Sequence, residues 1–166
     1  NLEVELAERL VKTIHSAEMV KFSKNASDVC AASVRLARYY TKRDLVICYG
    51  YHGFHDWYVG STDRNAGVPQ EVKDLTKLFE YGDLDGLKKM FEDHKDNVAA
   101  IIMEPVIGQR QSCSYSGAGV KREFRKACSV CPQVEFLKGV KDLAHKNGAL
   151  LIFDEMISGF RFALGG

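Results

Sequence analysis

Four polar clusters in this chain are of types that can do chemistry. The segment "ALLIFDEMISGF" (residues 149–160) drives an unbroken apolar run straight into Asp154 and Glu155. A carboxylate there is either an ordinary strand-end residue or a group aimed at a ligand, since open parallel sheets bind ligands at the carboxyl ends of their strands. "SKNASD" (23–28) precedes a helical pattern. Its free backbone N–H groups and the helix dipole suit a phosphate, although Asn25 and Ser27 would serve equally as an ordinary N-cap. "YHGFHDW" (51–57) gathers two histidines, a tyrosine and a tryptophan, a set fit for metal ligation, for stacking on a flat ligand, or for packing. Glu104-Pro105, with Gln109 beyond, closes another apolar run.

Cysteine offers a fifth possibility. Cys113 and the pair Cys128-x-x-Cys131 flank the basic run "KREFRK". Three thiolates with one more ligand, such as His145, would make a metal site, and the pair alone could exchange disulfides. A lone C-x-x-C falls short of a four-ligand pattern, so a surface insertion carrying reduced cysteines is the favoured reading. A Ser–His–Asp hydrolase is poorly supported, because no Gly-x-Ser-x-Gly turn exists to expose a nucleophile.

The elements that must position these residues follow from periodicity. Leu2, Leu6, Leu10 and Ile14 have helical spacing, and "MVKF" (19–22) reads as a short strand. A helix from Asn25 or Ser27 to about Lys42 carries Val29, Ala32, Leu36 and Tyr40 as its apolar stripe. "DLVICYG" (44–50) is a strand closed by glycine, and a long irregular stretch follows it. "KLFEY" (77–81) is a weak strand, 83–94 a helix with an acidic start, and "VAAIIMEP" (98–105) a buried strand. Residues 135–146 form a helix with Phe136, Leu137, Val140 and Leu143 inward, capped by Asn147-Gly148. "ALLIFD" is the last strand. Unbroken hydrophobic strands alternating with helices predict an α/β fold around a parallel sheet covered on both faces.

Bulk properties narrow the class. At 166 residues, 46% hydrophobic and 27% charged, the chain matches one globular domain. A net charge of +1 gives no sign of a nucleic-acid or membrane partner. "NLEVELAERL" reads as an amphipathic helix rather than a signal peptide. Five cysteines, an odd number, suit a reducing compartment, so a cytoplasmic location is expected.

Taken together, the clusters resemble the class III pyridoxal-phosphate aminotransferases, most closely their glutamate-1-semialdehyde aminomutase-like branch. The resemblance rests on "LEVELAERLVKTIHSAEMVKFSKNASDVCAASVRLARYYTKRD", "YGYHGFHDW", "IIMEPV" and "GALLIFDEMISGFRFALGG", nearly the whole chain apart from 110–131. It implies a three-layer α/β/α fold with a mostly parallel sheet, part of the large domain of a fold type I transferase, with 112–131 as a surface insertion. It implies pyridoxal 5'-phosphate as cofactor, an amino donor and a small amino acid or carbonyl as substrates, and a homodimer. By the same resemblance Asp154 pairs with the pyridine nitrogen. A carboxylate in a poorly hydrated site favours the protonated ring, and so a deeper electron sink. Asn25, Ala26 and Ser27 match the phosphate-cradling turn, with Ala26 where the family usually carries glycine. Tyr51 matches the aromatic stacked on one ring face, His52 and Gly53 complete its motif, and Met156 matches the apolar residue on the other face. Gln109 aligns with an amide near the ring hydroxyl. Asp28 replaces an acidic residue close to the active site, usually glutamate, whereas Glu104 and Arg161 match positions read as structural.

The resembling family needs a lysine, held to the cofactor as a Schiff base, on a strand beyond the aspartate's. No lysine follows Asp154. Lys24 and Lys138 lie outside the lysine motif and read as solvated surface. The expectation is therefore a large-domain fragment, inactive alone, without the catalytic-lysine region or the C-terminal small domain, and prone to associate through an uncovered apolar edge. Two alternatives stay open at this point: a non-catalytic interaction module derived from the same fold, and a C-x-x-C metal or thiol protein.

Overall fold

The computed structural model describes residues 1–106 and 132–166. Its elements are α1 (Leu2–Thr13), α2 (Ala26–Thr41), β1 (Leu45–Tyr49), α3 (Asp56–Val59), α4 (Gln70–Asp74), β2 (Thr76–Leu78), α5 (Leu84–Asp93), β3 (Val98–Met103), α6 (Pro132–Lys146) and β4 (Leu150–Phe153). The four strands form one parallel sheet in the order β2-β1-β3-β4. Parallel neighbours require crossovers, and the helices supply them.

Both faces are covered, which explains why β1 and β3 read as continuous apolar runs. On one face Leu45, Ile47, Ile101 and Met103 pack against Leu87 and Phe91 of α5 and Phe136, Val140 and Ala144 of α6. On the other, Val46, Cys48 and Ile102 pack against Cys30 and Val34 of α2 and Trp57 and Tyr58 of α3. Successive residues alternate between the layers, with a register irregularity near Leu45 that puts Val98 in the layer of Ile101 and Met103, giving the expected three-layer α/β/α arrangement. Turn chemistry closes the elements as the sequence implies. The Asn25 side chain caps α2, Asp83 caps α5, and Gly148 takes φ +70° just past α6.

Several expectations need correction. "MVKF" is not a strand: residues 19–22 lie outside any ladder, and Met19 is 88% exposed. Four apolar residues alone do not make a strand, and here no neighbour offers them hydrogen bonds. In α2 the sheet-facing stripe is Cys30, Val34 and Ala37, while Val29, Ala32, Leu36 and Tyr40 are exposed. That helix carries apolar side chains on two adjacent stripes, and packing selects the one with smaller residues, which lets α2 approach the sheet closely. None of the apolar positions of α1 is buried. The irregular stretch after β1 contains α3 and α4, and α6 starts at Pro132 instead of Glu135. β4 has a neighbour on one side only among the described strands, and its residues are half-buried or exposed. The cysteine-rich segment with Cys113, Cys128 and Cys131 lies outside the described residues, as does Gln109. No helix among the described residues is long and apolar enough to cross a membrane.

Candidate functional site

The parallel register brings three strand ends to one edge. Each ladder runs one hydrogen bond past its strand: the Glu104 amide donates to the Tyr49 carbonyl and the Asp154 amide to the Met103 carbonyl. Gly50, Glu104 and Asp154 therefore follow one another along the carboxyl edge of β1, β3 and β4. This is where an open α/β sheet binds ligands.

Asp154 is the most heavily coordinated group there. Its side chain is 8% exposed. Oδ2 accepts from His52 Nδ1 at 2.8 Å and from the Cys30 thiol at 3.4 Å, and Oδ1 accepts from the Met156 amide at 3.1 Å. Burial pushes the carboxyl up, but the His52 hydrogen bond, the Met156 amide, the His52 charge and the Cys30 thiol outweigh it. The net effect holds Asp154 below the ordinary carboxylate value. The apolar strand is thus not what shelters the carboxylate, since Phe153 is 42% exposed. Side chains from α2 and from the loop after β1 do so.

His52 is itself buried. Its second nitrogen, Nε2, lies 3.0 Å from the Tyr49 carbonyl, and its ring packs on Trp57 and Tyr58. The donor atoms of Cys30, His52 and Asp154 lie within 4.8 Å of one another, a spacing open to a metal ion. Two ligands of one tetrahedral ion, each ~2.1 Å from it, would stand roughly 3.4 Å apart. The 2.8 Å between Nδ1 and Oδ2 is instead a hydrogen-bond span, which favours shared protons.

The turn at 25–28 reaches the same place. Asn25 Oδ1 accepts the Asp28 amide at 3.0 Å, and its Nδ2 donates to the Asp28 carboxylate. His55 Nε2 stands 3.2 Å from the other oxygen of that carboxylate. The N-cap reading of Asn25 thus holds, yet the first-turn amides of Ala26 and Ser27 have no partner inside the helix. Gly53, at φ +96°, clamps this turn to the loop after β1: a Cβ there would stand 2.9 Å from the Ser27 Cα and nearer still to its side chain. Only glycine permits that approach.

A cavity of about 240 Å³ opens between these parts, lined among others by Ala26, Cys30, Ser33, Asp154 and Met156. Tyr51, on the loop after β1, is 67% exposed, its ring edge-on to Tyr58 at 5.7 Å. Glu104 Oε1 accepts the Tyr51 amide at 2.8 Å and packs beneath Gly50, so Glu104 orients this loop, in keeping with a structural role. Lys138 is exposed and paired with Glu135, as a solvated lysine should be. The structure therefore brings Ala26, Asp154 and Met156 to one cavity, whereas Ser27 lies in the turn against Gly53 and Tyr51 on the loop after β1, neither of them in its lining. It sets His52 behind Asp154 rather than in the cavity. The sequence reading missed Cys30, whose only signal was a cysteine near the start of a helix.

One consequence concerns alkaline stability. Burial, reinforced by the charge and hydrogen bond of Asp154, pushes the Cys30 thiol from 9.0 up to about 12. Burial likewise pushes Cys48 up to about 12, partly offset by a hydrogen bond with Ser61. The folded protein binds these protons more tightly, so their contribution is complete below the unfolded value and is lost as pH rises toward the folded one. Each thiol should remove about 1.4 kcal/mol of stability per pH unit over that window. Urea midpoints taken upward from about pH 8 should fall, and Cys48→Ala should reduce the slope. A flat profile in the unsubstituted protein would contradict the burial argument.

Comparison with known proteins agrees with this geometry. Residues 1–165 match the family model described as aminotransferase class-III. The glutamate-1-semialdehyde 2,1-aminomutase of Ignicoccus hospitalis is 37% identical over 99% of this chain and 38% of its own length. An omega-transaminase from Sphaerobacter thermophilus superposes with a TM-score of 0.75 at 26% identity, over 99% of this chain and 37% of that one. The FumI protein of Sphingopyxis sp. MTA144, in a form carrying PLP, gives 0.76 at 26% identity, over 97% and 35%. The chain thus spans under two-fifths of the length of these relatives. With its parallel sheet, its strand-end carboxylate and a family match over almost every residue, the chain belongs to the class III aminotransferases.

Proposed function

We propose that the protein is a pyridoxal-phosphate-dependent aminotransferase or aminomutase, and that the cavity beside Asp154 receives the cofactor. The observation that carries this reading is the meeting of three features at one sheet edge: an ionised, poorly hydrated carboxylate, a helix N-terminus with free amides, and a loop aromatic. The residues present fit the group. Gly53 leaves the close approach that keeps the α2 turn against the site, and Asp154 keeps one oxygen with a single backbone donor.

Bound cofactor supplies an electron sink for the charge left when a proton departs from a substrate's α-carbon. The chain's own residues do the rest. The amides of Ala26 and Ser27, at the positive end of α2, bind the phosphate with Asn25 fixing the turn. Asp154 would hold a proton on the ring nitrogen, favoured because its carboxylate is poorly hydrated. Tyr51 and Met156 would hold the ring, and by the family resemblance Gln109, outside the described residues, would serve its hydroxyl. The substrates are an amino donor and a small carbonyl or amino acid, glutamate-1-semialdehyde among them.

Adding pyridoxal phosphate to a gene product that also carries the Schiff-base lysine should produce a bound-cofactor absorbance band, lost on competition with inorganic phosphate. No band at saturating cofactor would sink the reading. The proposal extends to a cytoplasmic homodimer, in keeping with exposed Met19, Phe22, Phe160 and Phe162 and with the free, buried Cys30 and Cys48. Sedimentation equilibrium at micromolar concentration should give a mass above the monomer's, and a single monomeric species would contradict it.

A further inference from the structure

The turn proposed to cradle a phosphate carries a negative charge of its own. Asp28 is the third residue of α2 and directly follows Ala26 and Ser27, whose amides have no partner inside the helix. An acidic side chain at this position can reach back toward the N-cap amide and fill a donor site itself. Here it is held elsewhere. Oδ2 accepts from Asn25 Nδ2 at 3.1 Å, and Oδ1 faces His55 Nε2 at 3.2 Å. Both carboxylate oxygens are taken up by side chains, and the first-turn amides are left for a ligand.

His55 is placed for this contact by α3. Its carbonyl starts that helix by accepting the Tyr58 and Val59 amides, yet its side chain makes no cap bond there. The ring therefore reaches across to α2, with Phe54 stacked on it at 5.1 Å. Among the described residues Asp28 is the one charged group in contact with His55; Asp56, next in the chain, belongs to the first turn of α3. The two side chains are 39% and 36% exposed, so water screens the pair and it adds little to stability. Its effect falls on what binds beside it. An anion on the Ala26 and Ser27 amides meets the charge of Asp28 within one helical turn, close enough for like charges to repel. Protonated, His55 cancels that charge; deprotonated, it leaves the carboxylate uncompensated.

We propose that His55 is a positioning residue of this turn: it keeps the Asp28 carboxylate off the first-turn amides and, as the imidazolium, neutralises it, so that a dianionic group binds there. Naming that group as the cofactor's phosphate rests on the cofactor reading above; the effect of the pair on a dianion does not. Histidine changes charge between about pH 5 and 8, so the affinity for a dianion falls as pH rises through that range.

The test is a sulfate titration of the cofactor-free protein at low ionic strength, read from the amide shifts of residues 26 and 27. Sulfate stays a dianion throughout, so any pH dependence belongs to the protein. At about pH 5.5, His55→Gln keeps an N–H donor but loses the charge, and should raise the sulfate dissociation constant about tenfold. Combining it with Asp28→Asn leaves a neutral pair and should restore affinity to within about twofold. Taken up to about pH 8.5, the unsubstituted protein should lose affinity by a similar factor, whereas His55→Gln should stay level. An unchanged dissociation constant in His55→Gln would overturn the proposal. So would a double variant as weak as the single one, because the contact would then only brace the loop. Failure of sulfate to saturate the unsubstituted protein would overturn it as well. Sulfate binding as expected, with no absorbance band when pyridoxal phosphate is added to a gene product carrying the Schiff-base lysine, would overturn the cofactor reading and leave the role of His55 standing.

Discussion

In a protein that also carries the Schiff-base lysine, replacing Asp154 by alanine is expected to lower turnover by about 10²- to 10³-fold while leaving the fold standing. A preorganised group that acts on charge developing in the transition state contributes about 2.7–4 kcal/mol, and each ~1.4 kcal/mol is a factor of ten in rate. The loss should appear in kcat as much as in kcat/KM, because the carboxylate acts on charge that develops only as the reaction proceeds. The fold should tolerate the change, since Asp154 lies beyond the last residue of β4 and its side chain fills none of the two hydrophobic clusters. Circular dichroism and a urea midpoint close to the unsubstituted values would establish that the loss is chemical. Turnover within a few-fold of normal in a folded Asp154→Ala protein would remove the carboxylate from the mechanism.

Gly53→Ala should be nearly as damaging by a different route. The residue sits at φ +96°, where an L side chain is strained by about 1–3 kcal/mol. Its Cβ would also stand 2.9 Å from the Ser27 Cα, a backbone atom that moves only if the start of α2 moves. The strain must either unseat the loop after β1 or push the 25–27 turn away from the cavity. We expect a stability loss of at least ~2 kcal/mol together with a tenfold or larger rise in the dissociation constant of pyridoxal phosphate. Gly67→Ala is the control. It shares the positive φ, at +86°, but its Cβ would meet nothing within 4 Å, so it should lose stability without losing cofactor affinity. Equal affinity in the two variants would show that the clamp between Gly53 and Ser27 does not shape the site.

The α/β class was legible because β1 and β3 are buried on both faces, and a strand in that position must be apolar throughout. Caps were legible for a local reason: Asn25 and Gly148 act within a few residues of themselves, whereas Asp83, read as the first residue of its helix, proves to be the cap. The buried stripe of α2 was not, because apolar residues occupy two neighbouring stripes and tertiary packing alone chooses between them. "MVKF" misled for a related reason, since strand propensity without a ladder partner decides nothing. Within the site, Asp154 announced itself by position. Its donors did not: Cys30 and His52 lie 124 and 102 residues away in sequence, and no local pattern links them to the carboxylate. Glu104 stood at a strand end like Asp154, yet turns its oxygen back to the Tyr51 amide, a difference that residue type cannot reveal.

The arrangement also explains how β4, with one neighbour among the described strands, can end in a sheltered charge. β4 offers little shelter of its own, so the protein encloses the carboxylate with side chains from the opposite layer and from a loop pinned by a glycine. The same enclosure leaves the cavity side open to a flat ligand.

A crystal structure of the protein grown with pyridoxal phosphate would test the central claim most directly. The ring nitrogen should lie at hydrogen-bond distance, about 2.8 Å, from Asp154, with the phosphate on the amides of residues 26 and 27 and the ring between Tyr51 and Met156. A cofactor seated elsewhere, or one whose ring nitrogen meets water while Asp154 stays bound only to His52 and Cys30, would contradict it.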